Sequence, residues 1–346
     1  MPSLHDLRLL LRLNVTLMVG AATAFGFLLA VPLPFGGAAA LSVGNPAAAL
    51  AWVVAGAMLL AAACSAWNQA QERDIDALLP RTAGRPLPAG RMAPWTATGI
   101  GALLFVAALG CLHAAGKLAA SQAYLHAGKL PYAAVSGAGS PVSGYPVSGL
   151  SLLLVGAGIA VVYNGVYTPL KRVTSFALLP GALVGAMPPL LGWMAAGGDP
   201  RDPVAILLYG VYVLWQVPHF WLRAQRERIH YVRAGLPVPP AQFAAARYAR
   251  LLRVWYHAYA VAVLMLPVFP LLHAPLVRAG VVLLGVALLG VSALARTGRG
   301  VEGDAAEMTA SDAGTTPREC LALRAADAAM PALMLLLLLD RMLPLF

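Results

Sequence analysis

The chain has 346 residues, of which 60% are hydrophobic and 11% charged, with a mean hydropathy of +0.74. Soluble domains carry about 25% charge, so an ordinary globular fold is excluded. The formal net charge of +10 would suit a nucleic-acid partner, but the Lys and Arg residues fall in short stretches between apolar runs, as membrane topology requires.

Apolar runs of about 20 residues, the length that crosses a bilayer, recur along nearly the whole chain. They lie at approximately 13–33, 46–66, 94–115, 147–165, 176–197, 203–223, 250–273, 275–296 and 325–345. This predicts an all-α polytopic membrane protein of nine spans, a single integral-membrane domain over 1–346. The first run, about Leu13 to Val31, is longer than a secretory h-region and counts as a span, although Ala38–Ala40 leaves cleavage conceivable. Nineteen of the 24 Lys and Arg residues fall in the amino-terminal arm and after the second, fourth, sixth and eighth spans; Lys117, Lys129, Arg201, Arg278 and Arg341 fall on the other side. That asymmetry places the amino terminus in the cytoplasm. The three cysteines, Cys64, Cys111 and Cys320, have neither disulfide nor metal-ligand spacing and read as structural or incidental. Residues 116–149 form a Ser/Gly/Pro-rich outer loop with Pro-Val-Ser-Gly twice, and 297–318 an inner polar loop with four acids; neither is assigned chemistry.

Three polar stretches interrupt this pattern. The first, NQAQERDIDALLPRTAGRPLPAGRM, runs from Asn68 to Met92 directly after the second span. Asn68, Glu72 and Asp76 recur every four residues, so a continuing helix would keep them on one face within an arc of about 80°. An amide and two carboxylates at a membrane edge can hold a hard cation, and Mg²⁺ favours one or two carboxylates, retained water and substrate phosphate oxygens. Arg73, Arg81, Arg85 and Arg91 follow and could neutralise such a phosphate. A solvated, topogenic loop is the bland alternative, and three ligand-type residues in register weigh against it.

The next stretch leaves the fourth span as YNGVYTPLKR, Tyr163 to Arg172. Lys171 and Arg172 suit a diphosphate, and Tyr163 and Tyr167, one turn apart, could line a cavity below the charges or simply form an interfacial belt. Met187-Pro188-Pro189 then interrupts the fifth span, an irregularity tolerated where helices line a cavity or pack on protein. The third stretch, WQVPHFWLRAQRERIHYVRAGLPVPP, follows the sixth span; its Arg223, Glu227 and Tyr231 repeat the four-residue spacing on the same inner side. Together these pieces suit ionisation of an allylic diphosphate in a dry pocket, with charge neutralised at the leaving group and the carbocation sheltered by aromatic faces.

The motif Asn-x-x-x-Glu-x-x-x-Asp at 68–76, the continuation RTAGRPLPAGR, YTPLKR at 167–172, GAMPPLLGW at 185–193 and WQVPHFW at 215–221 resemble the UbiA superfamily of membrane prenyltransferases, in its protohaem IX farnesyltransferase branch. The resemblance spans about residues 50 to 240. It implies nine membrane helices in a bacterial inner membrane, a site on the cytoplasmic side, and Mg²⁺-dependent transfer of farnesyl from farnesyl diphosphate to a vinyl group of haem B, giving haem O. It also implies that Asn68, Glu72 and Asp76 hold the metal and diphosphate, with Arg81, Arg85, Lys171 and Arg172 around them; Arg73 and Arg228 are further diphosphate-binding candidates. Two departures stand out. His230 occupies the position before Tyr231 where the family's second signature carries an acid, with Glu227 one turn away, and Arg12-Leu13-Asn14 replaces an expected Lys-Pro-Arg. His219, within the PHF motif, could ligate haem iron, hydrogen-bond within the bundle or pair with diphosphate. Other readings are prenylation of a quinone precursor, a transporter or haem-binding protein without chemistry, and a weakened homologue acting as a structural partner. Membrane lipid is an expected neighbour, and oligomeric assembly is left open.

Overall fold

The computed structural model describes residues 3–31, 45–126, 147–269, 271–294 and 317–343. The outer 116–149 segment, the inner 297–318 loop and Ala38–Ala40 fall wholly or largely outside them. Every regular element among the described residues is helical. In chain order the helices are α1 (Leu4–Leu10), α2 (Leu13–Ala30), α3 (Pro46–Gln71), α4 (Arg73–Leu78), α5 (Pro94–His126), α6 (Gly149–Ala160), α7 (Thr168–Leu170), α8 (Leu178–Gly185), α9 (Met187–Ala195), α10 (Pro203–Arg226), α11 (Arg228–Arg233), α12 (Pro239–Gln242), α13 (Ala245–Met265), α14 (Pro275–Leu294) and α15 (Pro317–Met342). A π-helix, Val161–Tyr167, joins α6 to α7.

Nine candidate membrane spans occur among the described residues, at Leu13–Ala30, Pro46–Gln71, Pro94–Ala119, Gly149–Leu170, Ser175–Ala195, Pro203–Arg226, Ala245–Val268, Pro275–Ala293 and Cys320–Met342. They match the nine apolar runs. The seventh begins five residues before the expected 250 because the arginines in its first turns do not stop the helix: Tyr248 is buried there and its hydroxyl donates to Trp221 O at 2.8 Å. The fifth span is α8 and α9 in series, with Ala186 as the cap between them and Pro188 and Pro189 in the first turn of α9, where a missing N–H costs no intrahelical bond.

The chain divides into two compact units, Met1–Leu170 with Leu183–Tyr209, and Lys171–Ala182 with Gly210–Phe346. In the first, α3 packs on α2 and α5, α5 on α6, and α2 on α9. The α2–α9 contact is made backbone to backbone. A Cβ on Gly26 would meet Pro189 O at 1.9 Å, and one on Gly192 would meet Thr23 O at 1.9 Å. Helices embedded in lipid gain little from the hydrophobic effect and associate through such close small-residue contacts. Beneath the polar end of α3, Leu10 of α1 forms a small core with Ala66, Leu87, Met92 and Ala97. In the second unit α14 packs on α13 and α15, while Val217 and Trp221 of α10 pack with Ala182 and Tyr248.

Candidate functional site

The polar stretch after α3 keeps its register through a bend. The helix ends at Gln71, Glu72 has φ −105° and ψ 13°, and α4 begins at Arg73. Glu72 N–H still donates to Asn68 O at 2.9 Å, and Asp76 N–H to Glu72 O at 2.8 Å. The three expected ligand residues are therefore linked in i→i−4 steps. All are buried, with 2%, 8% and 4% exposure for Asn68, Glu72 and Asp76, which a solvated topogenic loop would not give.

Each of the two outer members has a fixed neighbour. Asp76 Oδ2 takes the Arg85 guanidinium at 2.6 Å, and Asp76 O accepts from Thr82 Oγ1 at 2.9 Å, so the turn carrying Arg85 is folded back onto the end of α3 and α4. A buried carboxylate needs such a counter-charge. Asn68 Nδ2 donates to Thr168 Oγ1 at 3.2 Å. The Thr168 hydroxyl in turn donates to Tyr163 O at 2.9 Å, so its oxygen is left as an acceptor and can only be met by the NH₂ side of the amide. The Asn68 oxygen is thereby the side presented away from Thr168, as a hard-cation ligand requires.

The π-helix supplies this arrangement. Thr168 N–H also reaches Tyr163 O instead of Asn164 O, as the wider π turn dictates. The carbonyl of Asn164 is thus released from that bond and accepts from Gln71 Nε2 at 3.1 Å, while Asn164 Nδ2 donates to Cys64 O at 3.1 Å. The buried Asn164 Oδ1 has no hydrogen-bond partner among the described residues. The Tyr163 and Tyr167 rings lie 5.2 Å apart between centroids.

The remaining expected residues are placed differently. Arg73 and Arg81 are exposed, and Arg91 is engaged elsewhere, its Nε on Asp6 Oδ1 at 2.9 Å and its Nη2 on Gly84 O at 2.9 Å. Arg91 therefore joins α1 to the loop and is structural where the sequence suggested a phosphate ligand. Lys171 and Arg172 follow α7 at the start of the second unit. In that unit α10 ends at Arg226, Glu227 (φ −100°, ψ 10°) forms the junction, and α11 carries Arg228, His230 and Tyr231. Tyr231 N–H donates to Glu227 O at 3.0 Å, and Arg228 is exposed. His219, on α10, hydrogen-bonds through Nδ1 to Asp327 of α15, so one of its two nitrogens has a partner within the second unit.

Sequence reasoning missed Gln71, Thr168 and Asp327. A carboxylate inside the last apolar run, one of two there with Asp340, was the available signal for Asp327, since charge within a span is costly and needs a partner.

The model of the UbiA prenyltransferase family matches residues 23–127 and 125–310. The chain belongs to the UbiA prenyltransferase family. Among its UbiA relatives, the protoheme IX farnesyltransferase of Nitratidesulfovibrio vulgaris (strain DP4) is 46% identical over 270 residues, covering 78% of this chain and 79% of that one. The protein of the same name from Oleidesulfovibrio alaskensis is 43% identical over 261 residues, 75% and 77% of the two chains. Solved UbiA-type structures share the fold at low identity. A digeranylgeranylglyceryl phosphate synthase superposes with a TM-score of 0.68 at 12% identity over 99% of each chain. A UbiA homologue from Archaeoglobus fulgidus bound to DMAPP and Mg²⁺ gives 0.61 at 12% identity, over 98% of this chain and 100% of the other.

Proposed function

We propose that this UbiA-family protein transfers the farnesyl group of farnesyl diphosphate to a vinyl group of haem B, giving haem O. The observation that carries the proposal is a buried Asn68–Glu72–Asp76 bend in a chain 46% identical to a protein named for that transfer. Magnesium fits the donor set. The bend offers an amide oxygen and two carboxylates, all hard donors, and the described residues hold no group of three or more His, Cys, Asp or Glu that could cage an ion. Mg²⁺ is satisfied by such a partial set because substrate phosphate and water complete its shell. Bound there with the diphosphate, it supplies positive charge to the leaving oxygens.

The chain's own residues do the rest. Asn68, Glu72 and Asp76 would hold the cation to which the diphosphate binds, and Arg85, 15% exposed at its side chain, takes up charge as the C1–O bond breaks and its electron pair leaves with diphosphate. Arg73 and Arg81, in the same unit, are assigned to the same anion. The Tyr163 and Tyr167 rings shelter the allylic cation, whose charge their faces attract. The vinyl π pair forms the new carbon–carbon bond to farnesyl C1. The cation left beside the porphyrin ring takes up water and releases a proton, leaving a hydroxyethylfarnesyl side chain. The cytoplasmic side of a bacterial inner membrane is the proposed location, on the asymmetry of Lys and Arg.

Membranes containing the protein, supplied with haem B, farnesyl diphosphate and Mg²⁺, should yield a haem heavier by farnesyl plus hydroxyl. Asp76→Ala should lower the rate by about a hundredfold or more, the loss expected when a charge-stabilising group is removed. Recovery of unchanged haem from folded wild-type protein, or prenylation of a hydroxybenzoate in its place, would refute the assignment.

A further inference from the structure

His219 and Asp327 form a second polar constellation, lying wholly within the second unit and given no role by the transfer chemistry above. They are 108 residues apart in the chain and meet inside two apolar spans, α10 and α15. A carboxylate in a span is costly, so it is kept where it has a partner or a task. The imidazole is held on three sides. Asp327 Oδ1 takes Nδ1, the Trp215 ring stacks at 4.9 Å between centroids with planes 34° apart, and the Phe220 ring meets it edge-on at 5.3 Å. Trp215 is itself anchored, its Nε1 donating to Ala326 O at 2.9 Å, one residue before Asp327. The ring's position and plane are thus fixed by two helices together.

The chemistry follows from which nitrogen is used. An ionised carboxylate only accepts, so the bond to Asp327 requires the proton on Nδ1. In the neutral ring the lone pair is then on Nε2. Nε2 has no hydrogen-bond partner among the described residues, and it is not one of the buried polar atoms sealed off without one. A histidine with one nitrogen donating to a carboxylate and the other open is the arrangement of a metal-ligating imidazole. The carboxylate orients such a ring and raises its basicity. Flat aromatic neighbours on an apolar helix suit a planar hydrophobic macrocycle carrying the metal.

We propose that His219 Nε2 is an axial ligand for the iron of an iron-porphyrin substrate, and that Asp327 is the positioning residue that fixes the tautomer. This rests on the reading that the acceptor is haem. A purely structural ion pair would use the same two residues but would leave the iron's coordination untouched.

The test is resonance Raman spectroscopy of the full-length protein in nanodiscs, loaded with ferrous haem B and no farnesyl diphosphate. The wild type should show an iron–imidazole stretching band. Asp327→Asn should lower its frequency, because a neutral amide polarises Nδ1–H less than a carboxylate, and should weaken haem binding by about tenfold to a hundredfold. His219→Ala should lose the band and regain one with added imidazole. A wild-type complex without the band overturns the proposal, as does a band that survives in His219→Ala. An Asp327→Asn band at the wild-type frequency removes Asp327's role, and this readout does not depend on the His219 variant folding. Wild-type protein that makes farnesylated haem yet shows no band defeats the ligation alone. Wild-type protein that neither binds nor converts haem defeats the acceptor reading as well.

Discussion

Thr168 has one hydroxyl proton, and Tyr163 O takes it at 2.9 Å. What remains on that oxygen is acceptor capacity, which the Asn68 amide fills at 3.2 Å from a point 100 residues earlier in the chain. Thr168→Val would leave a buried N–H unsatisfied, at a cost of about 1–3 kcal/mol, and would free the amide to turn its NH₂ toward the cation. The expected outcome is a cation affinity weaker by about tenfold to a hundredfold, as for other groups that orient a metal ligand. Thr168→Ser should stay near wild type. Binding of Mn²⁺, followed by electron paramagnetic resonance with a non-reactive farnesyl diphosphate analogue, separates this from a general loss of fold. Unchanged Mn²⁺ affinity in folded Thr168→Val would refute the role. The spacing of Asn68, Glu72 and Asp76 was legible in the sequence because it is local. The partners that orient them were not, because Asn68–Thr168 is a long-range contact and hydropathy is blind to it. The π turn was partly foreshadowed: Pro169 has no N–H for the carbonyl of Gly165, so a regular α-helix was already broken there.

At the scale of elements, two long helices end alike. α3 gives way at Glu72 to the six-residue α4, and α10 at Glu227 to the six-residue α11, and in both the glutamate's own N–H and C=O keep their i→i−4 bonds while the helix breaks around it. The repeated four-residue spacing announced both extensions, but a pattern of side chains does not reveal where backbone dihedrals leave the helical range. Nor did it show that α1 acts as a strut for the first of them. Ser3 and Asp6 form a capping box at its start, Gln69 Nε2 caps its end by donating to Leu10 O at 2.6 Å, and Arg91 reaches Asp6 from the loop. The Arg91 hydrogen bond, followed by that of Ser3, holds the Asp6 carboxyl below its ordinary value. A depressed folded-state pKa means the contribution is complete above the unfolded value, about 3.9, and is lost as pH falls through the lower folded one. Amides of residues 4–11 should keep constant hydrogen-exchange protection, corrected for intrinsic rate, from pH 7 to 5 and lose it below about pH 4. Asp6→Asn should show weak protection throughout. Protection in the wild type that ignores pH would rule the strut out.

At the scale of the whole molecule, apolar length was the easiest property to read, because a lipid-facing helix must satisfy its backbone internally and stay apolar over its full width. All nine runs became helices long and apolar enough to cross a bilayer. The sequence could also locate charge, though not the use of each arginine: Arg85 pairs with Asp76 and Arg91 with Asp6, while Arg73 and Arg81 are exposed. Sidedness follows from that charge independently of hydropathy. The proposed orientation rests on nineteen of 24 basic residues falling on one side of nine alternating spans, which would put the amino-terminal arm in the cytoplasm and residue 343 opposite. Fusions ending at Arg91 or Gly235 should therefore fluoresce with a green fluorescent protein reporter and lack alkaline phosphatase activity. Those ending at Gly198 or Leu343 should do the reverse. A fully inverted pattern would overturn the orientation and with it the cytosolic supply of diphosphate substrate. Matching signals at Gly198 and Gly235 would instead mean that Pro203–Arg226 does not cross, and the nine-span topology would fail at its most polar member.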